Sequence, residues 1–298
     1  MIYDTTYSDV APEDAEKAVR RAMGKDFDFE VLSVGYWVRR RMVAERYGAG
    51  RVFLAGDAVH VMPPNGGLGM NTGIGDVVDL GWKLAAMVDG WGGERLMASY
   101  EAERRPTGIR ACDEAMRNLG RNTPGKGYDA IDDDSPAGAK LRAELGAHLD
   151  EANRLAWENP INTHLGYRYD GSPICIPDGP PPPEPEDSRR YDPTSHPGAR
   201  APHAWLPDGR STLDLFGRGF VILQLGPDAP HHLAGLEVAA DHLGMPFEIV
   251  RIEDPEIVRL YERKLVLVRP DGHVAWRSDS PPESPSRLLD LVRGAETA

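Results

Sequence analysis

Between Arg51 and Gly73 the chain reads Arg-Val-Phe-Leu-Ala-Gly-Asp-Ala-Val-His-Val-Met-Pro-Pro-Asn-Gly-Gly-Leu-Gly-Met-Asn-Thr-Gly, and this stretch holds the residues best suited to chemistry. An apolar strand, Val52 to Ala55, runs into Gly56-Asp57 and places a carboxylate at the strand's carboxyl end. A loop rich in Gly and Pro follows, and a helix is predicted from near Asn71. Asp57 can accept hydrogen bonds from ligand hydroxyls. Pro63-Pro64 stiffens the approach and removes two backbone donors. Gly66, Gly67 and Gly69 let the main chain pass close to a flat ring. The N–H groups near Met70 and Asn71 open the helix, where its dipole favours negative charge. The order strand, carboxylate, open loop and helix start suits a polar ligand with an anionic or electron-rich end.

The elements that position these residues follow from periodicity. Pro12 to Met23 is predicted as a helix with acids in its first turn. Phe29 to Val43 alternates apolar and polar residues (Val31, Leu32, Val34, Tyr36, Val38) and is predicted as sheet, with Arg39, Arg40 and Arg41 along a solvated edge. Asn71 to Val88 is predicted as a long helix with Ile74, Val77, Val78, Leu80, Leu84 and Met87 on or near one apolar face. Asp76 and Asp79 on its early turns suit the helix dipole. Arg95 to about Leu119 is predicted as a helix kinked at Pro106, and Ser135 to Trp157 as a third. Pro177 to Pro197, with its proline tract and acids, is predicted as a semi-rigid linker.

Beyond Pro197 the pattern changes. Phe220 to Leu225 is predicted as a strand, His232 to Leu243 as a helix, Phe247 to Ile252 and Lys264 to Arg269 as strands. Asp271-Gly272 turns a hairpin into Val274-Ala-Trp276, and a helix closes the chain from Arg287 to Arg293. This order resembles a thioredoxin-like fold. Both cysteines, Cys112 and Cys175, lie upstream of it, and no Cys-x-x-Cys occurs, so a structural or interaction role is expected.

The stretch around Asp57 resembles the second FAD-binding motif of the flavin-dependent aromatic hydroxylases, the para-hydroxybenzoate hydroxylase group, and most of all its polyketide and phenol hydroxylases. The likeness continues through Trp82-Lys-Leu-Ala85 and Tyr100-Glu-Ala-Glu-Arg-Arg-Pro106. Further blocks are Pro197-Gly-Ala-Arg-Ala-Pro-His-Ala-Trp-Leu206, Leu213-Asp-Leu-Phe-Gly217 and Leu267-Val-Arg-Pro-Asp-Gly-His-Val-Ala-Trp-Arg277. The resemblance implies an α/β chain: a partial FAD-binding and substrate region over 1–176, the linker over 177–197, and a thioredoxin-like domain over 198–298. It implies FAD as cofactor, contacted by Gly56, Asp57, Pro64, Gly66, Gly67, Gly69, Met70 and Asn71. Asp57 would hold the ribityl chain, the helix start would face the N1/C2 edge of the flavin, and His60 would help hold the loop. It also implies NADPH or NADH as reductant and hydroxylation of an aromatic, polyketide-like substrate through a flavin C4a-hydroperoxide.

The strand–Gly-x-Gly-x-x-Gly–helix unit that holds the ADP half of FAD in that family does not precede Asp57, nor does the family's Asp-Gly motif. Three readings stay open: a fragment of an ordinary hydroxylase, a split enzyme completed by a partner chain, or a flavin-free relative acting as a cyclase, isomerase or accessory subunit. No catalytic side chain is singled out. His60, His203, His231, His232 and His273 form no set with metal-binding spacing, and no Ser or Cys has a nucleophile's setting. A net charge of −13 argues against nucleic acid and anionic membrane surfaces as partners. No apolar run is long enough to cross a membrane, and reduced thiols in the cytoplasm are expected.

Overall fold

The computed structural model describes residues 12–35, 38–121, 130–153, 161–185 and 190–296. They form two compact units, one up to Arg40 and one from Arg41 onward. The first contains helix α1, Pro12–Met23, as its sequence predicts. Its last turn is tied by Arg20 to Glu16 and Asp26, and Phe27 stacks on Phe29. The strand expected over Phe29 to Val43 does not form. Residues 29–35 and 38–41 are irregular, and only Met42–Val43 is extended in a ladder; Tyr36 lies outside the described residues. Alternation gives a strand two faces but no hydrogen-bonding partner, and the described part of the first unit contains no second strand.

The second unit opens with two short antiparallel ribbons. β1 (Met42–Val43) pairs with β4 (His60–Val61), and β2 (Gly48–Ala49) with β3 (Val52–Phe53). A 3-10 turn at Gly56–Ala58 separates β3 from β4. Helix α2 spans Leu68–Val88, three residues earlier than predicted, because Gly67 caps it in the left-handed conformation. α3 runs Leu96–Arg121 and passes through Pro106 without a break in the helix. α4 spans Pro136–Asn153 and α5 Ile161–Leu165; the rest of the predicted third helix, through Trp157, lies outside the described residues.

The four-stranded sheet combines β5 (Phe220–Leu225), β6 (Phe247–Ile252), β7 (Leu265–Val268) and β8 (Val274–Ser278) in the order β6-β5-β7-β8. β5 and β6 are parallel, joined through helix α6 (Ala234–Leu243); β7 and β8 pair antiparallel. α7 (Pro255–Tyr261), which the sequence reading missed, is capped by Asp254. Its seven residues are too few for apolar periodicity to register. α8 (Pro285–Val292) closes the layer with α6. This is a thioredoxin-like α/β arrangement.

One apolar core joins this sheet to the earlier helices. Phe220 meets Trp82 and Trp91 edge-on, at 5.9 and 6.2 Å between ring centroids, while the two indoles stack on each other. Ala86, Trp91 and Leu96 are buried with Phe220, Ile222, Leu267 and Leu289 in the same cluster. Each such aromatic contact adds about 1 kcal/mol beyond area burial. The predicted linker is fixed near both ends: Asp178 pairs with Arg277 and Arg263, and the Ser195 hydroxyl donates to the Tyr261 carbonyl.

Candidate functional site

The turn carrying Asp57 sits against the first turns of α2. A Cβ built on Gly73 would lie 3.1 Å from the Gly56 Cα, so the two elements touch where both residues are glycine. Gly56 takes φ +60°, and Gly66 and Gly67 take +94° and +64°. Those left-handed values turn the chain into α2 and cost little only because the residues are glycines. The helix starts at Leu68, so its first N–H groups are those of Leu68, Gly69 and Met70. Asn71 instead turns its amide back to donate to the Gly67 carbonyl, at 2.7 Å.

Of the eight residues singled out from the sequence, Asp57, Pro64, Gly67, Met70 and Asn71 are exposed, Gly56 and Gly69 half-buried, and Gly66 buried. The Asp57 carboxylate takes no hydrogen bond or ion pair from the described residues. An exposed carboxylate, a glycine loop and a helix start thus adjoin one another. That donor and acceptor set fits a ligand with a polyol arm and an electron-rich ring edge. A cleft of about 650 Å³ lies elsewhere, between β2, β3 and α3, lined by Arg46, Phe53, Glu101 and Arg105.

Beneath the loop the polar groups are buried, contrary to the helix-dipole role expected for Asp76 and Asp79. The Gly56 N–H donates to Asp76 Oδ2 at 3.0 Å, and His60 Nε2 shares that oxygen at 2.8 Å. Arg104 Nε donates to Asp76 Oδ1 at 2.9 Å. Burial works to raise the Asp76 pKa, but the His60 hydrogen bond and the Arg104 charge outweigh it and hold the carboxyl below its ordinary value.

A second cluster lies farther along α2. Lys83 Nζ donates to Asp79 Oδ2 at 2.7 Å and Glu103 Oε2 at 2.6 Å. Arg269, wholly buried, donates to Glu103 Oε1 at 2.6 Å, Asp79 Oδ1 at 3.0 Å and Asp271 Oδ2 at 2.6 Å. The three carboxylates are close enough together to hold a cation. The guanidinium and the ammonium meet that demand themselves. Burial would raise Glu103, yet Arg269 and Lys83 pull it down to about 2. Burial also raises Asp79, and its carboxylate neighbours keep it well above the ordinary range.

The directions fix how stability varies with acid. His273 is buried and its pKa lowered from 6.5, so the unfolded chain takes up this proton first as pH falls. Glu103 contributes stability that is present above its ordinary 4.5 and is lost as pH falls toward about 2. Urea midpoints followed from neutral pH downward should decline below 6.5 through His273 and again as pH falls from 4.5 toward about 2 through Glu103, with the raised Asp79 working the other way down to its ordinary 3.8. A flat midpoint below 3.8, where Asp79 no longer contributes, would remove Glu103 from the set of groups that hold the fold.

The network also explains an inverted helix. α2 turns Asp76, Asp79 and Lys83 inward, each essentially without exposure. Its apolar stripe faces out: Met70 is 74% exposed, Ile74 55%, Val77 60% and Val88 85%. Of the apolar face read from the sequence, Leu80 packs against Tyr47, Val59 and Tyr100, while Ile74, Val77, Val78, Leu84 and Met87 are exposed.

Comparison with known proteins places this arrangement. Residues 3–115 match the family described as FAD binding domain, and residues 194–295 match aromatic-ring hydroxylase, C-terminal. The chain is 38% identical to the FAD-dependent monooxygenase apdD of Emericella nidulans over 90% of its own length and 45% of the relative's. It superposes on native and K252c-bound RebC-10x with a TM-score of 0.85 at 44% identity, covering 95% of this chain and 53% of that one. On the flavin-dependent monooxygenase PieE in complex with FAD and substrate, the TM-score is 0.76 at 33% identity, covering 99% and 55%. Over these two regions the chain is similar to FAD-dependent aromatic hydroxylases, and it spans about half the length of the curated relatives it matches.

Proposed function

We propose that this chain supplies the ribityl-contacting and ring-facing side of an FAD-dependent monooxygenase that hydroxylates an aromatic, polyketide-like substrate with NADPH or NADH as reductant. A polypeptide segment bearing the ADP-binding unit completes the cofactor site. The outward apolar stripe of α2 carries the reading. A run of Met70, Ile74, Val77, Leu84 and Val88 in water is what an interface looks like before its partner arrives. β3 adds a second open surface: among the described residues it is paired on one edge only, and Val52 and Leu54 are exposed.

Within the assembly Asp57 accepts hydrogen bonds from the ribityl hydroxyls. Gly66, Gly67 and Gly69 allow the ring to approach the main chain. The N–H groups of Leu68, Gly69 and Met70, at the positive end of α2, stabilise negative charge on the ring edge they face. Bound flavin supplies the redox and oxygen-transfer chemistry. Covering the stripe excludes water from the ring. In this reading the assembly works in the cytoplasm, and the two free cysteines, Cys112 and Cys175, support it.

Co-expression with a family segment carrying strand–Gly-x-Gly-x-x-Gly–helix is expected to give a complex that retains flavin and oxidises NAD(P)H when an aromatic substrate is added. The paired substitution Ile74→Asp and Val77→Asp is expected to leave thermal stability of the chain within about 1 kcal/mol, because both side chains already face water. The same change is expected to abolish complex formation in size-exclusion chromatography. Unchanged association would place the interface elsewhere.

A further inference from the structure

The Gly56–Asp57 turn is held from beneath by a chain of buried groups that starts far from the loop in sequence. Asp76 accepts from the Gly56 N–H and from Arg104. Arg104 spends its remaining donors on the Thr72 carbonyl at 3.1 Å and on Tyr169 Oη at 3.2 Å. Tyr169 is fixed in turn from the C-terminal half. Its N–H donates to the Gly198 carbonyl at 2.9 Å, and its ring stacks on His273 with centroids 4.2 Å apart. Room for this chain is made at the expense of helix propensity. A Cβ on Gly75 would lie 2.7 Å from Arg104 Nη2, and glycine inside a helix costs about 1 kcal/mol relative to alanine.

We propose that Arg104, aimed by Tyr169, is a positioning residue that sets the Gly56–Asp57 turn through Asp76. The connecting segment and the thioredoxin-like half thereby govern the carboxylate that meets the ligand. The geometric claim stands on the hydrogen bonds above; its consequence for FAD rests on the function proposed for Asp57.

Amide hydrogen exchange reads the turn directly, because the Gly56 N–H is one of the bonds in question. Tyr169→Phe keeps the stacked ring and removes only the hydroxyl. It is expected to speed exchange at Gly56 about tenfold while leaving β5 and β7 amides unchanged. Gly75→Ala, which displaces the guanidinium without removing its charge, is expected to give the same local signature. Exchange at Gly56 that is unaltered in both variants, or that rises equally across the chain, would overturn the proposal. In the flavin-binding assembly, Tyr169→Phe is expected to weaken FAD about tenfold, with no further loss when Asp57→Ala is already present. Additive losses would show that Tyr169 acts independently of the turn and would also overturn it. If no form binds flavin, the proposed function fails, and the exchange arm still decides the positioning claim.

Discussion

Arg269→Ala is expected to unfold the second unit or leave it barely stable. The guanidinium is wholly buried and is the common donor to Glu103, Asp79 and Asp271. Removing it leaves Asp79 and Glu103 with Lys83 as their cation, Glu103 with the Ser172 hydroxyl besides, and Asp271, among the described residues, with only His273 beside it. Breaking a buried ion pair from one side typically costs about 3–5 kcal/mol, a large share of the total stability of an ordinary domain. Arg269 also links β7 to α2 and α3, so the loss falls on the junction between the thioredoxin-like sheet and the earlier helices. Urea denaturation should show a much lower midpoint, or early exposure of the Trp82 and Trp91 environment by fluorescence. Arg269→Lys keeps the charge but loses the planar fork, and an intermediate midpoint is expected. A wild-type midpoint in Arg269→Ala would mean that the network is solvated rather than structural.

Asp57→Ala is the opposite kind of change. Asp57 is exposed and takes no bond from the described residues, so the folded chain should not notice its loss. FAD affinity of the assembled protein is expected to fall about tenfold to hundredfold, the usual effect of leaving ligand hydroxyls without their acceptor. Fluorescence titration with FAD would measure it. Equal affinity in wild type and variant would move the ribityl contact to another residue.

The contrast between these two residues shows what the sequence made legible. The loop from Gly56 to Asn71 could be read because its chemistry is local: a carboxylate after a strand, glycines in sequence, and a helix start. The thioredoxin-like order of strands and helices was legible for the same reason, with helix starts off by two residues at Ala234 and Pro285 and by three at Leu68 of the earlier α2. The buried network was not, since Asp79, Glu103 and Arg269 meet only in the folded chain. Asp76 and Asp79 on an early helical turn have a sufficient local explanation in the dipole, and nothing local reveals that they point inward. One signal was available. Asp76, Asp79 and Lys83 share a helix face opposite the Met70–Ile74–Val77 stripe, and the blocks Tyr100 to Pro106 and Leu267 to Arg277 supply the complementary charges. The strand expected across Phe29 to Val43 failed for a related reason, because alternation carries no information about the ladder partner.

The central claim is that this chain forms the ribityl-contacting and ring-facing side of an FAD site. The most direct measurement is a titration with FAD, followed by flavin absorbance and fluorescence, of the chain co-purified with a family segment carrying the ADP-binding unit. Saturable one-to-one binding, with a perturbed visible spectrum and weakened by Asp57→Ala, is the expected result. A stable complex of the two polypeptides that leaves the flavin spectrum unchanged would contradict it.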